Sequence, residues 1–232
     1  MTSARGALPR RPQAVVFDMD GVLVDSEPLW HEAEIEAFAR CGVTLTKADC
    51  QETTGVRIDL VVQHWRRRFP AALARADDDV IVDDVVRGVV ARVAARGAPM
   101  TGLADAIAAV RALGVPVGLA SSSPPTIIAA VLDRLGIASL FRDVRSAWKL
   151  PRPKPDPAVY LDACAALGVS PADALAIEDS ESGLRAALRA GMMVVAIPDP
   201  ASRPPPSAAE ADVVIADLTG LRAALERSCA PA

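Results

Sequence analysis

From residue 103 onward, short apolar runs alternate with amphipathic segments of helical periodicity. The apolar runs predict strands at 115–120, 143–146, 174–177, 193–197 and 212–215, and a further run at 14–17 predicts a first strand. Helices predicted between them are typical of parallel strands joined by right-handed crossovers. We therefore predict an α/β fold with a doubly wound, Rossmann-like parallel sheet.

The region between the first strand and this alternation carries no strand pattern. Helical periodicity instead predicts helices at 28–41, 47–53, 57–69 and 78–95. A helical domain is therefore expected to be inserted into the core after the first strand. We expect core residues 12–24 and 98–228, with the inserted domain at 25–97.

Bulk composition excludes several classes of protein. Of the 232 residues 51% are apolar and 23% charged, which is typical of a globular chain. A net charge of −4 without a dominant basic block argues against nucleic-acid binding, and no run approaches the ~18 apolar residues of a membrane span. We therefore expect a cytoplasmic protein. The cysteines show no C-x-x-C spacing, so we expect them to be structural thiols; they are Cys41, Cys50, Cys164 and Cys229.

Acidic side chains follow two of the predicted strands directly. Asp18 and Asp20 come after the run 14–17, and Glu178 and Asp179 come after 174–177. Because parallel strands present their carboxyl ends at one edge of the sheet, these acids should meet there. Carboxylate oxygens suit Mg²⁺, which takes one or two carboxylates together with substrate phosphate.

Two further polar residues fit a phosphate at the same edge. Ser121 ends a predicted strand before a helix, where its hydroxyl and nearby backbone N–H groups can hold an anion. Lys154, one of only three lysines, lies in a Pro-Arg-Pro-Lys-Pro segment that fixes a compact positive charge. Together the parts describe phosphoryl transfer: a carboxylate attacks phosphorus, cations offset the oxygen charge, and a second carboxylate moves protons.

The segment Asp18-Met19-Asp20-Gly21-Val22-Leu23-Val24-Asp25-Ser26 resembles the first motif of the haloacid dehalogenase superfamily of Mg²⁺-dependent phosphatases. The other polar residues above occur in the order of its remaining motifs, and the long helical insert matches the branch with a helical cap. The resemblance implies that Asp18 is nucleophile and metal ligand, and that Asp20 is the general acid/base and a ligand through its carbonyl. It implies phosphate binding by Ser121, charge stabilisation by Lys154, and metal binding by Glu178 and Asp179.

Shorter segments are similar to bacterial phosphatases of 2-deoxyglucose 6-phosphate and hexitol phosphates. They include Ser26-Glu27-Pro28-Leu29-Trp30, Thr54-Gly55-Val56-Arg57-Ile58-Asp59 and Leu119-Ala120-Ser121-Ser122-Ser123-Pro124. The resemblance implies a monomer that acts on a small phosphorylated metabolite. Arg57 follows Thr54-Gly55 in a predicted loop of the cap that would face the nucleophile, so we expect it and Ser122 among the substrate contacts. Trp148 stands where those proteins usually carry an acidic residue.

Other activities share parts of this pattern. A β-phosphoglucomutase-like enzyme is the main alternative, although Trp30 occupies the position of the mutases' cap histidine, with His31 adjacent. A phosphonatase needs a cap lysine, and no lysine lies between Gly21 and Thr46. A dehalogenase lacks the second acid, which is present here as Asp20, and a non-catalytic binding module would have no need of every catalytic position.

Overall fold

A computed structural model describes residues 7–199 and 204–227. Within them lies a six-stranded sheet: β1 Ala14–Phe17, β2 Val117–Ser121, β3 Asp143–Ser146, β4 Ala174–Glu178, β5 Met193–Ala196 and β6 Val213–Val214. All paired strands are parallel, in the order β3-β2-β1-β4-β5-β6. The predicted doubly wound α/β class is confirmed.

Alternate residues of each central strand enter different cores. Val15 and Phe17 of β1 pack into one apolar cluster, whereas Ala14 and Val16 pack into the other. A strand buried on both faces must be apolar throughout, which is why the first strand has no polar alternation.

The helices fall close to the predicted segments. Four precede the strand–helix alternation: α1 Glu27–Arg40, α2 Lys47–Gln51, α3 Ile58–Arg68 and α4 Asp78–Arg96. The others are α5 Leu103–Leu113, α6 Pro125–Leu135, α7 Ala158–Leu167, α8 Glu181–Arg189 and α9 Leu221–Arg227. The sequence did not predict α9, and Cys229 lies outside the described residues.

Helices α1–α4, which we call the helical segment, pack mainly on one another. Helix α1 contacts α2 and α4, α3 contacts α4, and α4 also contacts α6 of the sheet region. Trp65 of α3 is fully buried among them. Thr46 and Asp49 begin α2 with a reciprocal capping box, which satisfies two backbone donors.

The strand order indicates where on the sheet a ligand would bind. The chain winds outward in opposite directions from β1 and β4, so the topology switches between these two adjacent strands. Ligands bind beyond the carboxyl ends of strands at such a point. None of the helices among residues 7–199 and 204–227 has the length and apolar character of a membrane crossing.

Candidate active site

Asp18 is the first residue beyond β1 and lies at the topological switch. Its backbone N–H donates to the carbonyl of Ile177 in β4, which ties the ends of the two central strands together. Only 7% of Asp18 is exposed. The chain then turns at Gly21, whose φ of 75° is a conformation that favours glycine.

Lys154 joins the acids of β1 and β4. Its Nζ lies 2.6 Å from Asp18 Oδ1 and 2.7 Å from Glu178 Oε1, and it also donates to the carbonyl of Ala120 at 2.9 Å. The Tyr160 hydroxyl donates to the same Glu178 oxygen at 2.6 Å. The structure therefore brings together the lysine and acids that the sequence places far apart.

The charges of this cluster are unbalanced. Burial, reinforced by the charge of Glu178, raises the pKa of Asp18 to about 8 although Lys154 opposes the shift. Burial and Glu178 also raise the pKa of Asp179 well above its ordinary value. Burial alone would lower the pKa of Lys154, but Asp18 and Glu178 raise it overall. The cluster thus holds more carboxylate charge than one lysine compensates.

These residues fit a divalent cation. Asp18, Glu178 and Asp179 offer oxygens within 4.8 Å of one another. Within the described part of the chain, the buried Oδ1 of Asp179 has no hydrogen-bond partner. A side chain at Gly21 would fill the space beside it, since a Cβ there would lie 2.0 Å from Asp179 Oδ2. An acidic cluster that can hold a metal is therefore present, and oxygen ligands are the type that Mg²⁺ prefers.

The predicted metal ligands differ in whether their oxygen atoms already accept hydrogen bonds. Glu178 accepts hydrogen bonds at both oxygens, with Oε2 receiving the Asp179 N–H at 3.2 Å and the Ser180 hydroxyl at 3.3 Å. The Asp20 carboxylate is not part of the group of acids, so its contribution through the backbone carbonyl stays a prediction. Asp179 is the acid whose oxygen is most clearly free for a ligand.

Asp20 is held by three side-chain donors. Its Oδ1 receives the Ser26 hydroxyl at 2.5 Å and the Trp30 indole N–H at 3.1 Å, and its Oδ2 receives the Ser123 hydroxyl at 2.7 Å. The sequence did not predict the contacts of Ser26 and Trp30 with Asp20. Helical spacing reveals that Trp30 is on a buried face but not that its polar edge points at an acid.

The three serines at the end of β2 differ in position: one is fully buried in the protein and two line the cavity. Ser121 is fully buried, and its Oγ accepts the N–H of Ser123 at 3.0 Å. Ser122 and Ser123 line the cavity above Asp18. Ser121 remains the predicted phosphate contact, since it lies at the end of β2 next to the Ala120 carbonyl that Lys154 contacts.

One cavity joins the sheet edge to the helical segment. Asp18, Asp20, Lys154 and Asp179 line it from the sheet side. From the helical segment it is bordered by α1 and by the 53–58 turn; the lining residues there are Glu27, Trp30, His31, Glu34, Cys50, Thr53, Thr54, Gly55, Val56, Arg57 and Ile58. Trp148 packs against the apolar core and is absent from the cavity wall among the described residues.

Arg57 borders this cavity, but its guanidinium is already engaged. It forms a two-pronged ion pair with Asp59 at 2.7 and 2.8 Å. It also donates to the carbonyls of Ala147 and Leu150 at 3.1 and 2.9 Å. Arg57 therefore links the start of α3 to the segment after β3.

Tyr160 is the residue of the cluster that sequence reasoning did not single out. It lies on α7 six residues after Lys154, and Lys154 Nζ is 4.8 Å from the centre of its ring. A lone tyrosine on an apolar helix face gives no sequence signal of a polar contact. Scarcity is the one signal that could have identified it: Tyr160 is the only tyrosine of the chain, just as Lys154 is one of only three lysines.

Residues 12–191 match the haloacid dehalogenase-like hydrolases. The chain belongs to this family. Hexitol phosphatase B of Escherichia coli K12 is 38% identical over 216 residues, which cover 93% of this chain and 96% of that protein. The family and this relative confirm the prediction of a phosphoric monoester hydrolase.

Solved structures agree on the fold. The crystal structure of CbbY from Rhodobacter sphaeroides in complex with phosphate superimposes with a TM-score of 0.80 at 26% identity, covering 93% of this chain and 99% of that one. A β-phosphoglucomutase from Clostridium difficile gives a TM-score of 0.80 at 20% identity, over 94% and 97% of the two chains. The second likeness concerns the fold alone.

Proposed function

We propose that this protein is a Mg²⁺-dependent phosphatase of small sugar or sugar-alcohol phosphates that works through an aspartyl phosphate on Asp18. The observation that carries the proposal is the contact of Lys154 with Asp18 at the base of a cavity that Asp20 also lines. The similarity to hexitol phosphatase B supports the substrate class.

Each residue has a distinct part in the proposed reaction. Asp18 attacks phosphorus and forms an acyl phosphate as the bond to the leaving oxygen breaks. Asp20 gives a proton to that oxygen and later takes one from the water that hydrolyses the acyl phosphate. Lys154 orients Asp18 and, with Ser121 and Ser122, offsets charge on the phosphoryl oxygens.

The proposed metal site is built by Asp18 and Asp179, with Glu178 and the Asp20 carbonyl completing it. Bound Mg²⁺ supplies charge neutralisation for the transferring phosphoryl group. Glu178 holds Lys154 in place through the 2.7 Å contact, so the same side chain serves both halves of the site.

Residues 25–97 are proposed to act as a cap on the core of residues 12–24 and 98–228. Three hydrogen bonds between the two parts support a cap that lies against the core. Arg57 donates to the carbonyls of Ala147 and Leu150, and the Ser182 hydroxyl donates to the Gly55 carbonyl at 3.2 Å. A cap that closes on the site excludes water from the acyl phosphate until the alcohol has left. A cytoplasmic monomer stays part of the prediction.

The test is phosphate release from a panel of hexitol phosphates, hexose 6-phosphates and p-nitrophenyl phosphate, measured with Mg²⁺ and with EDTA. We expect metal-dependent release from polyol or hexose phosphates, and loss of at least about a thousandfold in Asp18→Asn because no acyl phosphate can form. Circular dichroism checks that the variant is folded.

The same assay distinguishes the mutase. Conversion of β-glucose 1-phosphate to glucose 6-phosphate without phosphate release would contradict the phosphatase proposal. Wild-type turnover in Asp18→Asn would contradict the covalent route.

A further inference from the structure

A second polar pair lines the cavity from helix α1. Glu34 and His31 lie three residues apart on α1, so they share one face of that helix. Each is only 6% exposed, and both line the cavity that reaches Asp18. The reaction steps above use neither side chain.

Both side chains carry a polar atom whose hydrogen-bonding capacity is unused in the described part of the chain. Among the described residues, Oε2 of Glu34 and Nε2 of His31 are buried without a hydrogen-bond partner. The nearest acid to His31 is Glu27, whose Oε1 lies 3.5 Å from Nε2 outside hydrogen-bond geometry. Unpaired buried polar groups are unfavourable, so these two atoms in one cavity wall require a hydrogen-bond partner, which a water molecule or a ligand can supply.

The pKa shifts of both groups favour their neutral forms. Burial raises the pKa of Glu34 to about 8, against a smaller opposing contribution from Cys50. Burial also lowers the pKa of His31, with Glu27 opposing and Lys47 adding to the shift. A protonated carboxyl and a neutral imidazole can each both donate and accept a hydrogen bond.

We propose that Glu34 and His31 recognise hydroxyl groups of the substrate's polyol chain, and so determine which phosphate esters the enzyme accepts. This inference rests on the proposed phosphatase function and concerns the same cavity.

The surroundings favour a neutral hydroxylated chain over a second charged group. A hydroxyl is itself donor and acceptor, which matches the two neutral side chains. Trp30 and Ile58 border the same cavity and give apolar surface for the C–H faces of a sugar or polyol. The phosphate would then lie at Lys154 while the chain extends toward α1.

The test compares Glu34→Leu with wild type on a hexitol phosphate and on p-nitrophenyl phosphate, which has no hydroxyls. Leucine replaces the buried carboxyl group with an apolar side chain of similar size, so the fold should survive. We expect kcat/KM for the hexitol phosphate to fall by about tenfold through KM, the effect of one or two lost hydrogen bonds. Turnover of p-nitrophenyl phosphate should stay within about twofold.

Two further variants separate recognition from structure. Glu34→Gln keeps a donor and an acceptor and should restore most of the hexitol phosphate activity. Glu36→Leu, on the same helix but at the surface, should leave both substrates unaffected.

Each contrary outcome has one meaning. Equal losses on both substrates, or no loss on either, in Glu34→Leu would overturn the recognition proposal while leaving the phosphatase intact. If wild type hydrolyses p-nitrophenyl phosphate but no polyol or sugar phosphate, the proposed substrate class is wrong and the recognition proposal fails with it. If wild type hydrolyses no phosphate ester at all, binding of the hexitol phosphate is measured by calorimetry, and equal affinity of wild type and Glu34→Leu would overturn the recognition proposal.

Discussion

At the residue scale, the site depends on charges held out of water in close contact. Lys154 is surrounded by a carboxylate on each side and a backbone carbonyl, and it is only 8% exposed. Removing one partner of such a buried group leaves the others uncompensated, so the cluster must be present as a unit. The sequence predicts Asp18 and Lys154 because acids end strands and lysines are scarce; it does not predict the Tyr160 hydroxyl.

The protonation state of Glu34 can be determined from the pH dependence of the free energy of unfolding. Its folded pKa of about 8 exceeds the ordinary value of 4.5, so the folded state keeps a proton that the unfolded state releases. The stability contributed by this proton is complete below pH 4.5 and is lost as pH rises through 8. Relative to Glu34→Gln, which has no acid to titrate, wild type should lose up to about 5 kcal/mol of unfolding free energy across this window.

Urea denaturation of both proteins from pH 5 to pH 8.5 gives this difference. Glu36→Gln is the control, because hydrogen bonds and ion pairs with Arg92 and Arg40 lower the pKa of that exposed carboxyl below its ordinary value. A difference between wild type and Glu34→Gln that does not change with pH would show that Glu34 is ionised in the folded protein.

At the element scale, the strand ends determine where chemistry occurs. Asp18 follows β1, and Glu178 ends β4 beside it, so adjacency of two strands in the sheet brings their acids together. Apolar runs that stop at acids predict these boundaries well. The helix α9 was missed because seven residues give too few turns for periodicity to stand out.

Arg57 tests how the start of α3 is held against the sheet region. Arg57→Lys keeps the charge but loses the planar pairing with Asp59 and leaves the carbonyls of Ala147 and Leu150 short of donors. We expect faster amide hydrogen exchange in the 54–60 and 147–150 segments and a reduction of about tenfold in kcat/KM.

Arg67→Lys, an exposed position on the same helix, is the matched control and should change neither quantity. Unaltered exchange in both segments of Arg57→Lys would mean that other contacts hold α3 in place.

At the scale of the whole molecule, a sheet edge and a helical segment enclose one cavity between them. The sequence predicted both parts, since strand–helix alternation and an uninterrupted helical block are patterns of hydrophobic periodicity. It did not predict which helical side chains face the cavity. Trp30 and Glu34 lie on the same helix as ordinary packing residues, and only the placement of α1 over Asp20 distinguishes them.

The proposed mechanism requires Asp18 to carry the phosphoryl group during turnover. The most direct measurement is peptide mass spectrometry of Asp20→Asn after mixing with p-nitrophenyl phosphate and Mg²⁺ and quenching in acid. An aryl leaving group needs little help from a general acid, whereas hydrolysis of the acyl phosphate needs the base, so the intermediate should accumulate. We expect a phosphoryl group on the peptide that contains Asp18; turnover without any modification of that peptide would exclude the covalent route.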